Sequence, residues 1–181
     1  MSQRFGLKLP LKWVRLASRP EFLKAHEPER ATASEARKSG LRYQAKAEAW
    51  VKGYFDQSEV HIGQWLQYED ASGMHWCQPD AWVVWKNPLR PEKSAVVVFE
   101  FKARHTPEAW YQLKLYGPLL GELYGLPVVL VEMTKSYDPF EVWPEKGFKL
   151  ALDVAEFMGV LTSVGVPEAM VVFQWRHRRG D

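Results

Sequence analysis

The run AVVVFEFKA at residues 95–103 predicts a strand that leads from the core of the protein to a polar rim. Its β-branched and aromatic residues favour a strand over a helix. Because side chains alternate across a strand, Glu100 and Lys102 share one face with Val96 and Val98. We expect the opposite face to be buried because it is wholly apolar. It consists of Ala95, Val97, Phe99, Phe101 and Ala103.

A second strand is predicted in the preceding segment WCQPDAWVVW, residues 76–85. Alternation places Asp80 on one side of this strand, together with Trp82 and Val84. The following segment, residues 87–94, contains two prolines and two basic residues, a composition typical of a turn. If the two strands pair as a hairpin around it, Asp80 and Glu100 converge on one face.

Two carboxylates in one half-buried place repel each other, so a positive charge is needed between them. Mg²⁺ prefers oxygen ligands and keeps positions open for phosphate oxygens. Such an ion can activate an attacking water and stabilise the charge that develops on phosphorus. Lys102 would lie beside that water and orient or deprotonate it. The alternative is a solvated cluster of charges at the end of a strand.

A helix follows, and it adds two polar side chains to this region. Residues 106–108, Thr-Pro-Glu, are typical of a helix start, with an N-cap, a proline at the first helical position and an acid in the first turn. Gln112 and Tyr116 are four residues apart and therefore share one face of this helix. The alternative is that Tyr116 is a core aromatic residue and Gln112 a surface residue.

The pair Gly117-Pro118 predicts a kink or a break in this helix. A second helical piece is expected to run to Tyr124, with Gly125 as its C-cap.

These motifs together resemble the PD-(D/E)XK nuclease superfamily. They are Pro79-Asp80, Glu100-Phe101-Lys102 and Gln112-x-x-x-Tyr116, and the last is similar to a helix found in the RecB-like branch. The resemblance covers Gly40 to Lys135, about half of the chain.

The resemblance implies a restriction-endonuclease-like core of the α/β (α+β) class. Its order would be a helix, three antiparallel strands, a helix and a further strand (αβββαβ), with a central mixed sheet flanked by helices. It also implies cleavage of DNA with Mg²⁺, for which Mn²⁺ can substitute.

The resemblance also implies a role for each matching residue. Asp80, Glu100 and the backbone carbonyl of Phe101 would be metal ligands. Lys102 would activate water, and Gln112 and Tyr116 would bind near the scissile strand.

A further ligand in this superfamily is a glutamate on the first core helix. Residues 40–55 are helix-like, and Glu48 is the best-placed acid among them. It lies beside the main apolar stripe, where it can face the metal edge of the sheet or be a solvated helix glutamate. The stripe consists of Tyr43, Ala47, Trp50, Val51 and Tyr54.

Several other kinds of site are excluded by the sequence. Cys77 is the only cysteine, so the chain has no disulfide and lacks the iron–sulfur cysteines of some CRISPR-associated and helicase-fused RecB-like nucleases. We interpret Cys77 as a small buried hydrophobic residue. The five histidines lack the H-x-x-H and H-E-x-x-H spacings, and neither a phosphate-cradling glycine loop nor G-x-S-x-G is present.

Length and composition predict one globular domain at residues 40–181, preceded by an N-terminal extension at residues 1–39. The chain has 181 residues, 46% of them hydrophobic, and no run of 18 apolar residues. We therefore expect a soluble, cytoplasmic protein without a membrane partner. The extension mixes basic and aromatic residues, and it could grip DNA, pack on another subunit of a homo-oligomer or be solvated. The net charge of +2 leaves DNA affinity to local patches.

Three further elements are predicted towards the C-terminus. They are a strand at Leu126–Met133, a helix at Leu150–Val164 and a late edge strand at Met170–Trp175. Most of the nine tryptophans are expected in the core, although Trp65, Trp110 and Trp143 could stack on bases. The basic tail at residues 176–179 could contact phosphate or fray.

Two functions follow from these residues. The first is a metal-dependent DNA nuclease, exonuclease-like and active in recombination, repair or phage DNA processing, with a structure-selective endonuclease such as a junction resolvase as the alternative. The second is a catalytically silent nucleic-acid-binding or assembly protein with the same fold, working with recombination or repair partner proteins. The presence of Asp80, Glu100 and Lys102 together favours the nuclease, and no residue excludes RNA.

Overall fold

The computed structural model describes residues 6–24, 34–137, 148–163 and 169–177. The strands in these ranges are β1 (Trp13–Ala17), β2 (Glu59–Ile62), β3 (Trp65–Asp70), β4 (Gly73–Cys77), β5 (Ala81–Trp85), β6 (Ala95–Arg104), β7 (Val128–Ser136), β8 (Lys149–Ala151) and β9 (Ala169–Gln174). The helices are α1 (Glu21–Lys24), α2 (Glu35–Tyr54), α3 (Pro107–Tyr124) and α4 (Val154–Ser163).

A mixed six-stranded sheet forms the centre of the protein, in the order β2-β5-β6-β7-β9-β8. The pairs β2–β5 and β5–β6 are antiparallel, whereas β6–β7, β7–β9 and β8–β9 are parallel. Helices α2 and α4 pack on one face of this sheet and α3 on the other. The prediction of an α+β fold with a mixed sheet flanked by helices is therefore confirmed.

Strand β6 has the two faces that its alternation predicts. Val97 and Phe99 are fully buried in the core under α2 and α4, and Val96 and Val98 are fully buried under α3. The apolar stretch therefore fixes the strand between two layers of helices. Glu100 and Lys102 continue the face towards α3, where the apolar sequence ends.

The prediction of one continuous strand at residues 76–85 is wrong, because the chain changes sheets within it, but the predicted hairpin is confirmed, since β5 pairs with β6 antiparallel. Cys77 ends β4, which pairs with β3 in a second sheet, and Ala81 begins β5 in the central sheet. Pro79 has no N–H to donate to a ladder and lies in the connection between them. The Gln78 side chain donates to the carbonyl of Gly63 at 2.8 Å, which ties this connection to the β2–β3 turn.

The second sheet has three strands in the order β1-β3-β4. Its inner face contributes Leu66 and Tyr68 to the core on the α3 side of the central sheet. Strand β1 comes from the predicted N-terminal extension and pairs with β3, with Trp13 opposite Glu69. The Trp13 indole donates to the Glu69 carboxylate at 2.8 Å, so this part of the extension is built into the fold.

Helix α3 begins and ends where the sequence predicts, but it is not broken. Thr106 is the N-cap, and Gly125 ends the helix with a φ of 62°. The helix runs through Pro118, against the prediction. Gly117 has no Cβ to clash with the proline ring, and Pro118 lies on the exposed side of the helix, where water can solvate the carbonyl that loses its donor.

Gly117 also lets α3 approach the sheet closely. A Cβ at this position would lie 3.1 Å from a methyl group of Leu130 in β7. The neighbouring Tyr116 is thereby held against the sheet on the face that carries Glu100.

Helix α2 buries most of the predicted stripe. Tyr43, Ala47 and Val51 are buried, and Trp50 is half-buried against the core. Tyr54 was predicted in the stripe but is 42% exposed. The helix also begins earlier than predicted, after Ser34, whose hydroxyl accepts from the Arg37 N–H.

The C-terminal elements differ from the predictions in two respects. The predicted helix at Leu150–Val164 starts only at Val154, because Lys149–Ala151 is β8. The predicted edge strand is β9, and it lies inside the sheet between β7 and β8. Its residues Val171, Val172 and Phe173 are all buried, as expected of a parallel strand that is covered on both faces.

Within the described ranges, no helix is both long enough and apolar enough to cross a membrane.

Candidate active site

The two predicted acids meet where β5 begins beside β6. Ala81 and Phe99 are Cα partners, so Asp80 lies next to the end of β6 that carries Glu100. The Phe101 N–H donates to Asp80 Oδ2 at 2.8 Å. This hydrogen bond continues the β5–β6 pairing with a side chain and fixes the Asp80 carboxylate against the backbone of β6.

Lys102 pairs with Glu100 on the same face of β6. The distance between Lys102 Nζ and Glu100 Oε1 is 3.0 Å, and the lysine side chain is 23% exposed. Glu100 itself is only 3% exposed. Its second oxygen, Oε2, is buried and has no hydrogen-bond partner in the described part of the chain. A buried charged oxygen without a partner is unfavourable, so this position suits a bound cation or a proton.

Burial raises the pKa of both carboxyl groups, and the charge of Asp80 raises that of Glu100 further. Burial, followed by the charge of Asp80, raises the pKa of Glu100 from 4.5 to about 8, although Lys102 opposes this shift. Burial also raises the pKa of Asp80, and the Phe101 N–H and Lys102 oppose that shift. A protonated Glu100 can donate a hydrogen bond to Asp80, which favours the ionised form of Asp80. Burial and the charge of Asp80 therefore favour a protonated Glu100 when no cation is bound.

Helix α3 brings Gln112 and Tyr116 to the same region. Tyr116 is 5% exposed and belongs to the apolar core under α3. Burial raises the pKa of Tyr116, the charges of Glu100 and Asp80 add to this, and a hydrogen bond with Gln112 opposes it. Gln112 Oε1 is buried without a partner among the described residues. Tyr116 is thus both a core residue and a neighbour of the acids.

Glu48 on α2 is near enough to Asp80 to influence its charge, but it forms a hydrogen bond with another residue of α2. Its charge raises the pKa of Asp80. Its Oε1 accepts from the Gln44 side chain at 3.0 Å, and the residue is half-buried. In the described ranges, no three His, Cys, Asp or Glu side chains are grouped so that they could hold a metal ion between them. Glu48 as a ligand stays a prediction.

A buried glutamate beside this site was missed by the sequence analysis. Glu132 in β7 is the Cα partner of Glu100 and is fully buried. It accepts hydrogen bonds from His105 Nδ1 at 2.6 Å, the Thr106 N–H at 3.0 Å and Trp110 Nε1 at 3.0 Å. The cluster ties the start of α3 to β7. A single acid within the apolar run VVLVEM, residues 128–133, was the available signal.

The tryptophans proposed to stack on bases have different positions. Trp110 is 2% exposed and bonded to Glu132, so the stacking prediction is wrong for it. Trp65 is half-buried in β3, and Trp143 lies outside the described residues. Cys77 is half-buried, and burial raises the pKa of its thiol to about 12, which does not favour a nucleophile.

Comparisons of the chain with protein families, with curated proteins and with solved structures gave no match.

Proposed function

We propose that the protein is a Mg²⁺-dependent nuclease that hydrolyses phosphodiester bonds in DNA. The observation that carries this proposal is the half-buried Asp80 beside the buried Glu100. One lysine contacts Glu100, and one oxygen of Glu100 has no donor among the described residues. Two acids with raised pKa values at one end of a sheet are typical of a site whose natural occupant is a cation.

The proposal includes a restriction-endonuclease-like core. The order α2, β2, β5, β6, α3, β7 supports it, since it gives a helix, three antiparallel strands, a helix and a parallel strand. The β3–β4 hairpin would be an insertion in this core. Asp80, just before β5, and Glu100, in the second half of β6, then lie at the same end of the central sheet.

The residues present fit Mg²⁺ in their chemistry. Asp80 and Glu100 provide carboxylate oxygens. The Phe101 N–H points to Asp80, and the carbonyl of the same strand residue points to the same side, so it could be a third oxygen ligand. Bound Mg²⁺ would supply an activated water and neutralise charge on the phosphate.

Lys102 has a role of its own in this proposal. In the described structure its ammonium group contacts Glu100 at 3.0 Å, while part of the side chain remains open to solvent. Once a cation balances the acids, Lys102 is free to hold the attacking water by a hydrogen bond and to accept or release a proton there.

The α3 side chains would position the substrate strand. Gln112 has a buried oxygen without a donor among the described residues, and Tyr116 lies next to the two acids. An amide and a phenol at this place can hydrogen-bond the sugar-phosphate backbone beside the scissile bond. This arrangement favours the exonuclease-like function, with a structure-selective endonuclease as the alternative.

The test is an assay of the purified protein on fluorescently labelled linear DNA and on RNA of the same sequence. We expect cleavage of the DNA in Mg²⁺ or Mn²⁺ and none in EDTA, with activity restored when Mg²⁺ is added back. Equal cleavage in EDTA would exclude a metal-dependent nuclease. Binding of DNA without any cleavage in either metal would support the catalytically silent alternative.

A further inference from the structure

A strongly basic cleft lies on the α2 side of the central sheet, away from the face that carries Glu100. Its volume is about 410 Å³. Arg42 and Lys46 project from α2, Lys135 lies near the end of β7, and Arg176 and His177 follow β9. Arg42 and Lys46 are four residues apart, so they point from the same side of the helix.

These cations lack acidic partners in the described part of the chain. Among the described residues, no acid lines the cleft, and Arg42, Lys46 and Lys135 form no ion pair. The Arg176 Nε donates to the backbone oxygen of Lys135 at 3.3 Å. Arg176 Nη2 donates to the side-chain oxygen of Gln174 at 3.0 Å when that amide is oriented to accept, and neither acceptor is charged. Concentrated like charges in a concave site create a positive potential that attracts anions. The cleft therefore suits a group that carries more than one negative oxygen.

An aromatic cavity adjoins this cleft and gives the ligand a second feature. It has a volume of about 430 Å³ and shares Lys46 and His177 with the basic cleft. Trp50, Tyr54 and Trp175 line it. The Trp50 and Tyr54 rings are stacked at 4.8 Å, and Trp50 lies 5.9 Å from Trp175. Aromatic surface beside a basic cleft that has room for a phosphate group is complementary to a nucleotide.

A buried hydrogen bond joins α2 to the segment that follows β9, behind the cleft. The Tyr43 hydroxyl donates to the Trp175 carbonyl at 3.2 Å, and Tyr43 is buried. Lys135 follows Thr134, whose Cα partner in β6 is Lys102. The cleft is thus at the same end of the sheet as the candidate active site but on the opposite face.

We propose that the basic cleft binds the phosphate of a nucleotide and that the adjoining aromatic cavity receives its base. This inference rests on the proposed function only for the source of the nucleotide, which we take to be the nucleic-acid substrate. A nucleic-acid strand bound in this cleft would be held at a site separate from Asp80 and Glu100, where the proposed cleavage occurs.

The test is a binding titration in EDTA, where cleavage does not occur, followed by quenching of tryptophan fluorescence. The probes are inorganic phosphate, thymidine, thymidine 5′-monophosphate and an octamer of thymidylate. We expect the octamer to bind and thymidine to bind at least tenfold more weakly, since charge-assisted hydrogen bonds to phosphate dominate. Arg42→Gln and Lys135→Gln should each weaken the octamer about tenfold. Lys52→Gln, an exposed charge of α2 outside the cleft, is the matched control and should have little effect.

Each outcome bears on the inference. If the monophosphate binds as tightly as the octamer, the site takes free nucleotide as well as a strand. Unchanged binding by both cleft variants, or tight binding of thymidine, would overturn the inference. The cleavage assay in Mg²⁺ tests the proposed function separately. If cleavage is normal and the cleft variants bind the octamer as the unaltered protein does, only this inference is contradicted. If the cleft binds nucleotide but the protein does not cleave DNA, only the proposed nuclease function is contradicted.

Discussion

The pKa of Glu100 is set by opposing electrostatic effects within the candidate site. Burial and the neighbouring Asp80 favour its neutral form, and Lys102 favours its charged form. The first two forces prevail, because one partly exposed lysine is 3.0 Å from a single oxygen while the other oxygen has no donor among the described residues. A cation bound by both acids would reverse this balance.

The raised pKa of Glu100 predicts how the stability of the metal-free protein depends on pH. Between pH 4.5 and about 8, the folded protein binds more protons than the unfolded chain. The free energy of unfolding therefore falls as pH rises through this window, and the penalty is complete above pH 8. We expect the Tm in EDTA to fall by a few degrees across it.

Glu100→Gln is the matching variant, because it keeps the shape and removes the charge. It should flatten the pH dependence and raise the Tm at pH 8. Mg²⁺ should raise the Tm of the unaltered protein at pH 8 but not that of the variant. An unaltered slope in Glu100→Gln, measured by thermal unfolding in EDTA, would show that this carboxyl does not cause it.

Lys102→Ala separates the chemical step from binding. We expect turnover to fall by a factor of about a hundred or more, because the hydrogen bond to the attacking water is lost. DNA affinity should stay within a few-fold. Single-turnover rates and a filter-binding Kd with Ca²⁺ in place of Mg²⁺ measure the two quantities. A parallel fall in both would make Lys102 a phosphate contact.

At the scale of the elements, α3 connects the core to the candidate site. Its apolar side, with Leu113, Leu119 and Leu120, is fully buried against the sheet. Gly117 permits the close approach to Leu130. The same packing that holds the helix therefore sets where Gln112 and Tyr116 lie.

Substitutions on this helix test whether it positions the substrate. Gln112→Ala and Tyr116→Phe should each slow degradation of linear DNA about tenfold, because each removes a hydrogen bond worth ~1.4 kcal/mol in the transition state. The fold should be retained, since Tyr116→Phe keeps the buried ring. Degradation rates at saturating DNA provide the measurement, with Tyr111→Phe on the exposed side of α3 as the control. Equal rates in Tyr111→Phe and Tyr116→Phe would contradict a role for the buried phenol.

The buried cluster around Glu132 predicts a large cost in stability. Glu132→Ala would leave His105, Thr106 and Trp110 without this acceptor in a site without water access. The free energy of unfolding should fall by about 3 kcal/mol or more. Glu122→Ala, an exposed acid on α3, should change it by less than about 0.5 kcal/mol. Urea unfolding curves give both values, and a small effect of Glu132→Ala would contradict the account of this cluster.

The elements also show which features could be predicted from sequence. Alternation in β6 is a local pattern, so it predicted both buried faces and the positions of Glu100 and Lys102. The change of sheet at Pro79 depends on pairing with β3 and β2, which are distant in the chain, and a local pattern does not contain it. The Glu132 cluster joins β7 to the start of α3. It could not be predicted from a local pattern either, because its members are distant in the chain. Helix α3 continues through Pro118 because Gly117 precedes the proline and because Pro118 lies on the exposed side of the helix.

At the scale of the whole molecule, the acids and the basic cleft lie at one end of the central sheet. The acids face α3, whereas Arg42, Lys46 and Lys135 lie on the α2 side. A nucleic-acid strand that contacts both must pass around this end of the sheet. A single strand bends easily enough to do this, whereas an intact duplex is stiff.

This arrangement predicts a preference for DNA with free ends. Linear DNA can separate at its end and present one strand, but a covalently closed circular duplex cannot. We expect closed circles to be cleaved at least about tenfold more slowly than linear DNA of the same sequence. Gel electrophoresis over time distinguishes the two. Nicked or linearised circles that appear as fast as linear DNA disappears would favour the structure-selective endonuclease.

The central claim is that Asp80 and Glu100 together form a metal-dependent phosphodiesterase site. The most direct test is the rate of linear DNA cleavage in Mg²⁺ by the unaltered protein, Asp80→Ala and Glu100→Ala, with the exposed Glu92→Ala as the control. We predict that both site variants lose activity by about three orders of magnitude or more while their circular dichroism spectra remain native. Glu92→Ala should cleave at the normal rate. Cleavage by either site variant at the rate of the unaltered protein would contradict the claim.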